Sequence, residues 1–191
     1  MFAAVLDTCV LWPSLQRDFL LSLAVQGLYR PLWSDLILEE LETYEALKLV
    51  QRQFADEAQA AARARRLIEQ MQTSFDDALV VGWEPHEGTF GLPDPDDEHV
   101  LAAAVVGGAG AIVTSNVKDF PKSAVPGHIQ ILKPAQFAAD TVAVSPEMGL
   151  RAIEALLSRR QNPPMTLDHV LEILVDRYGM DEAVDLLHAA R

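Results

Sequence analysis

Short apolar runs alternate with longer helical patterns through the first two thirds of the chain, and this alternation restricts the fold more than any other feature. The runs are residues 2–6, 30–33, 79–82, 111–114 and 128–132. Between them lie helical stretches at 14–27, with Gly27 as a stop, at 35–50, capped by Ser34 or Asp35, and at 53–73, rich in Ala, Arg, Glu and Gln. A further helix starts at the cap Asp94 and ends at Gly107-Gly108. Strands separated by helices predict an α/β fold, a parallel sheet with helices on both faces. Pro31 lacks an N–H and so places the second run at a sheet edge or a strand start. Chemistry in such sheets gathers beyond the carboxyl ends of the strands.

The pattern changes after about residue 140. Ser145-Pro146-Glu147 reads as a helix start leading to Arg159-Arg160, Asn162-Pro163-Pro164 interrupts, and Thr166 opens a helix closed by Gly179. A last helix covers 180–190. The expected organisation is an α/β domain over 1–140 and a small all-helical extension over 145–191. The extension's apolar residues recur at helical spacing: Ile153, Leu156 and Leu157, then Leu167, Val170, Leu171 and Leu174, then Val184 and Leu187. Helices this short do not stand alone in water. They must cap the core, dock a partner or a second protomer, or select substrate through Arg159 and Arg160.

Apolar residues make up 50% of the 191 positions and charged ones 23%. That is enough to build a core and too apolar for a disordered chain. The uncharged stretch 100–117 is broken by Gly107, Gly108 and Gly110. It does not make the run of about 20 apolar residues that a membrane span needs. The start, MFAAVLD, has no basic n-region of a secretory signal. Cys9 is the sole cysteine, which excludes an internal disulfide and a cysteine metal cluster. These features predict a soluble, cytoplasmic, reduced protein without membrane partners. The net charge of −13 opposes a role in coating DNA or binding anionic membranes. A polyanionic substrate would need metal ions or local cations, for which Arg63, Arg65, Arg66, Lys118 and Lys122 are candidates.

Three carboxylates stand where acids need a reason. Asp7 closes the first apolar strand, at the expected carboxyl edge, where a turn-forming role is the plain alternative. In the helix around 36–48, a rotation of about 100° per residue gathers Leu36, Ile37, Leu41, Tyr44 and Leu47 into an apolar stripe. Glu40 falls inside that stripe, whereas Glu39, Glu42 and Glu45 fall on the opposite side. An inward carboxylate must meet a cation, a metal or a donor, unless it reaches water at the stripe's edge. Asp97 lies over Val100, Leu101 and Ala104 on its helix's apolar face, with Asp94, Asp96 and Glu98 beside it. A helix N-terminus favours acids there, but that does not place one on the apolar face. Thr114, Asn116 and Asp119 follow another strand end, as a plain turn or as part of the same site. Four separated segments would thus deliver oxygen ligands to one sheet edge. Mg²⁺ or Mn²⁺ takes such ligands, and metals so held support hydrolysis of phosphodiesters.

The segments LDTCVLWPS, WSDLILEELE, LPDPDDEHVLAAAV and IVTSNVKDFP together resemble the PIN-domain nucleases, especially the VapC-type toxins of toxin–antitoxin pairs. The resemblance covers about residues 1–138. It implies a three-layer α/β/α fold with a central parallel sheet, Mg²⁺- or Mn²⁺-dependent cleavage of single-stranded RNA, frequent homodimerisation and a cognate antitoxin protein. The family's acidic quartet maps onto Asp7, Glu40 and Asp97, with Asp7 and Asp97 as metal ligands. The fourth position falls on Asn116, where many members have Asp, with Asp119 close behind it. Thr8 and Thr114 match supporting hydroxyl positions, and Asp94 supports Asp97.

Other readings fare worse. A haloacid-dehalogenase-type phosphotransferase needs an Asp two residues after Asp7, where Cys9 stands. Gly107-Gly108-Ala109-Gly110 follows a helix and precedes a strand, the reverse of a dinucleotide-binding turn. Cys9 has no recognisable histidine partner, and the five histidines show no metal-ligand spacing. The reading that stays open beside the nuclease is a catalytically weak PIN-like module that binds RNA or a partner, which Asn116 would favour.

Overall fold

The computed structural model describes residues 1–160 and 164–191. Four strands, β1 (Ala3–Leu6), β2 (Arg30–Leu32), β3 (Ala111–Val113) and β4 (Gln130–Leu132), pair in parallel in the order β2-β1-β3-β4. The register sets Val5 against Leu32 and Ile112, and Ile112 against Ile131. Helices flank the sheet to give the α/β/α architecture. They are α1 (Thr8–Leu11), α2 (Ser14–Val25), α3 (Asp35–Gln51), α4 (Glu57–Ser74), α5 (Glu98–Val106) and α6 (Pro134–Val144). β1 and β3 are neighbours although far apart in sequence, so the strand order reverses between them. A crevice opens at such a switch point beyond the carboxyl ends of the two strands. Asp7 and Thr114 are the first residues past those ends.

Local chemistry accounts for most boundaries. Ser34 caps α3 by accepting from the Ile37 N–H at 3.2 Å, which satisfies a donor the first turn leaves free. Asp56 caps α4 through Gln59. Asp94 accepts from the Asp96 N–H at 3.0 Å and starts the 3₁₀ turn that leads into α5. Gly107 ends α5 where a Cβ would stand 2.8 Å from Val80 and 3.0 Å from Leu32, so helix and sheet close up only around glycine.

Three features differ from the sequence pattern. Residues 79–82 form no strand and make a single bridge between Trp33 and Leu79. The Arg30 N–H points to Phe2 and the Trp33 N–H points outward to Ala78. In that parallel register residues 80–82 fall opposite 34–36, where α3 begins, so they find no strand to extend. Second, α6 continues through residue 140, with Pro134 in its first turn, where the sequence suggested a break. Third, the apolar stripe of α3 holds only to Leu41. Tyr44 and Leu47 are exposed, while Glu45 and Lys48 are buried. Beyond Leu41 the inward face meets polar groups. The Lys48 ammonium donates to the Trp12 carbonyl at 3.1 Å and the Ser14 hydroxyl at 3.0 Å, and it pairs with Glu45.

The helical tail comprises α7 (Pro146–Arg159), α8 (Leu167–Tyr178) and α9 (Asp181–Ala189). The Asn162-Pro163 step expected to interrupt it lies outside the described residues. α7 packs on α2 and α9 on α6. Ile153, Leu156, Val170, Leu171, Leu174, Val184 and Leu187 are buried in the same apolar core as Phe19, Leu23 and Phe137. Two polar ties cross this seam, from Arg159 to the Ser22 hydroxyl at 2.7 Å and from Arg160 to Asp18 at 2.6 Å. α8 stops at Gly179, whose φ of 63° is left-handed. Glycine takes that conformation without the cost a Cβ would add.

Candidate active site

A cleft of about 780 Å³ opens beyond the carboxyl ends of β1 and β3. Asp7, Thr8, Glu40, Asp97 and Asn116 line it, so five residues from four separated segments meet there. Glu87 and Asp96 add two more acids, and no Lys or Arg among the described residues lines it.

Asp7 is 5% exposed and is held from one side. Its Oδ2 accepts from the Thr114 hydroxyl at 2.6 Å and from the Cys9 thiol at 3.1 Å. The Thr114 Oγ1 in turn accepts the Asn116 N–H at 3.0 Å, so the turn after β3 is tied to the carboxylate after β1. The Oδ1 of Asp7 has no hydrogen bond among the described residues and is the oxygen left for a ligand. Burial and the Asp7 charge push the Cys9 thiol up to about 11. It stays protonated as a donor and is no nucleophile.

Glu40 is oriented through both of its oxygens. The Thr8 hydroxyl donates to Oε2 at 2.5 Å, and His99 Nε2 lies 3.3 Å from Oε1. Partial burial pushes the Glu40 carboxyl up, but the His99 and Thr8 contacts outweigh it and hold the group below the usual carboxylate range. Asp97 has the opposite fate. Burial, then the charges of Asp7, Asp94 and Asp119, push it up to about 6, against a smaller opposing pull from His99. Asp94 and Asp119 therefore act on the cleft through charge without lining it.

His99 is the residue that sequence reasoning missed. It is 3% exposed, it lines the cleft, and it supplies the donor that an inward Glu40 requires. No local signal marked it, because Glu40, the carboxylate it meets, belongs to another helix. Glu98 beside it serves the scaffold. Burial pushes its carboxyl up, but N–H groups of Leu92, Phe90, Gly91 and Gly88 outweigh this and hold it low, fixing the loop before the helix.

This donor set fits a divalent cation. A buried aspartate with one open oxygen faces an aspartate whose proton affinity is raised by burial and by its acidic neighbours, and no Lys or Arg among the described residues lines the cleft. Among the described residues no three such side chains stand close enough to enclose an ion alone.

Residues 3–118 match the family model of the PIN domain. The chain belongs to the PIN-domain family. A curated relative from Mycobacterium tuberculosis, named "Putative ribonuclease VapC50", is 38% identical over 79 residues, which are 41% of this chain and 47% of the relative. The chain thus spans about half the length of the curated relative it matches. No solved structure matches significantly. In this PIN domain the cleft lies within the matched region, since Asp7, Glu40, Asp97 and Asn116 all fall inside it, whereas Asp119 and the helical tail fall outside. No helix among the described residues is long and apolar enough to cross a membrane.

Proposed function

We propose that this PIN domain is a metal-dependent endoribonuclease, the toxin of a toxin–antitoxin pair, acting in the cytoplasm on single-stranded RNA. The observation that carries the reading is a cleft at the sheet's switch point lined by five carboxylates and no Lys or Arg among the described residues. A phosphodiester enters such a site only if a cation offsets the charge.

Asp7 and Asp97 hold Mg²⁺ or Mn²⁺, which when bound supplies positive charge against the phosphate and lowers the pKa of water for hydrolysis. Asp7 presents its open oxygen because Thr114 and Cys9 fix the other. Glu40, kept ionised by Thr8 and His99, orients water and takes up a proton at the cleft wall. Thr8 and Thr114 are positioning residues. Asp94 raises the demand of Asp97 for a cation, and Asn116 or Asp119 completes the site's far side. The same uncompensated charge favours an antitoxin that inserts an Arg or Lys into the cleft, where a desolvated ion pair replaces the metal. A homodimer is part of the proposal by family alone.

The test is Mn²⁺ titration by calorimetry beside an RNA cleavage assay. Binding and cleavage that both vanish in Asp7→Asn support the nuclease. Because Asn116 stands where many relatives carry Asp, a protein that binds RNA with no metal uptake and no cutting would instead be the binding module.

A further inference from the structure

We infer that the substrate strand leaves the acidic cleft over Trp12 and places a phosphate in a cationic pocket built jointly by α3 and the helical tail; this rests on the ribonuclease reading above. A second cavity, of about 180 Å³, lies beside the cleft, and Trp12 lines both. Its charged lining is Lys48, Arg52, Arg160 and Arg177, with no acid among the described residues. In a chain of net charge −13 this concentration of cations is an anion site rather than an average surface.

The four cations divide into two kinds. Lys48 is paired with Glu45 and Arg160 with Asp18, so both are fixed parts of the wall. Arg52 and Arg177 are exposed and have no ion-pair partner among the described residues. Arg177 lies 5.8 Å from the ring of Tyr178, itself in the lining. Two free guanidinium groups beside an aromatic ring suit a phosphate and its nucleoside.

Trp12 connects the two cavities. It is 39% exposed, yet its position is fixed: the indole N–H donates to the Tyr44 carbonyl at 3.3 Å, and the Lys48 ammonium sits 5.4 Å from the ring. Tyr44, 52% exposed, lines the cleft on the same side. A pinned, open aromatic between a metal-type site and a cationic pocket matches an unpaired nucleotide strand, whose bases stack and whose phosphates recur on either side. An acidic peptide would use the arginines but has no use for the indole. Arg160, Arg177 and Tyr178 all follow α6, which gives the tail a role in gripping substrate.

The experiment measures binding of a labelled, unstructured 12-nucleotide RNA in Ca²⁺, which takes the same kind of oxygen ligands, and cleavage in Mn²⁺. Arg52→Ala/Arg177→Ala should weaken binding about tenfold and flatten the dependence of log Kd on log salt by about 0.7, the loss of one neutralised single-strand phosphate. Trp12→Ala should weaken binding by about tenfold with the salt slope unchanged. Both penalties should shrink for a dinucleotide and for duplex RNA. Circular dichroism and melting check that these exposed substitutions leave the fold intact. Wild-type binding and salt slope in the double arginine variant, with RNA still cut by the unaltered chain, would overturn the track and leave the nuclease standing. Loss of binding to a polyglutamate peptide but not to RNA would assign the pocket to an acidic protein and also overturn it. If the unaltered chain neither binds nor cuts RNA, both readings fall.

Discussion

Glu40 and Glu45 sit about 7.5 Å apart along the same helix, α3, yet they belong to opposite electrostatic regions. Around Glu40 the cleft gathers Asp7, Asp96, Asp97 and Glu87 with no Lys or Arg among the described residues, and burial with the charges of Asp7, Asp94 and Asp119 pushes Asp97 up to about 6. Around Glu45, further along, the Lys48 ammonium and the Arg17 guanidinium, at 3.7 Å, neutralise the carboxylate, and Arg160 closes on Asp18 nearby. Glu45 is buried and met by Lys48 and Arg17, whereas the half-buried Glu40 is met by the Thr8 hydroxyl and His99. The seam's charges hold helices together, whereas the cleft's acids meet no Lys or Arg among the described residues. Identical residue types on one helix therefore carry a structural role in one place and, under the proposed function, a binding role in the other.

Four experiments test that contrast, in order of decreasing effect. Ending the chain at Asp140 removes Arg160 from Asp18 and strips Ile153, Leu156, Val170 and Leu174 from the core. The truncated protein is expected to lose its cooperative melting transition. If it melts cooperatively and cuts RNA, the 1–140 segment is a folding unit and not merely the segment that carries the chemistry. Next, Asp7→Asn should lower RNA cleavage on the order of 10³-fold, comparable to deleting a strong electrostatic stabiliser, without lowering the melting temperature. A variant that cuts normally removes Asp7 from the site.

Glu45→Ala should do the reverse. It leaves Lys48 buried without a carboxylate partner, while Arg17 keeps Asp18. The loss should cost about 3 kcal/mol of stability, read by urea denaturation, while cleavage per folded molecule is kept. The smallest effect is that of Asp97→Asn in chelator. The folded-state pKa of about 6 lies above the ordinary 3.8, so ionising Asp97 costs stability as pH rises from the lower value through the higher. Removing the charge should therefore stabilise the metal-free protein at pH 7–8, by about 1 kcal/mol because the group is half open to solvent, and have no effect below about pH 4. A destabilised variant at pH 8 would mean that Asp97 is already compensated.

The acidic constellation was legible because each member breaks a local rule. Asp7 ends an apolar strand, Glu40 interrupts an apolar stripe, and Asp97 occupies the apolar face of its helix. The rest of α3 was not legible from the same rule. Helical periodicity reports which side of a helix faces inward but not whether that side meets leucines or a carbonyl and a hydroxyl, so Glu45 reads as outward-facing and is buried, together with Lys48. The run at 79–82 failed for a related reason: its composition suits a strand, but past Leu79 the neighbouring chain has already turned into α3 and offers no extended backbone to pair with. His99 carries no such local signal, because the carboxylate it meets, Glu40, belongs to another helix.

Element order, the parallel sheet and the acids at its carboxyl edge follow from the sequence alone, since period, capping residues and strand-end positions are local quantities. Which of those elements became neighbours was settled only by packing. It set β1 beside β3 so that Thr114 holds Asp7, brought His99 to Glu40, and turned the tail's Arg160 and Arg177 toward Trp12. Each of these is a contact between residues far apart in the chain. No local pattern encodes such contacts, because they follow from how the whole core closes around its side chains.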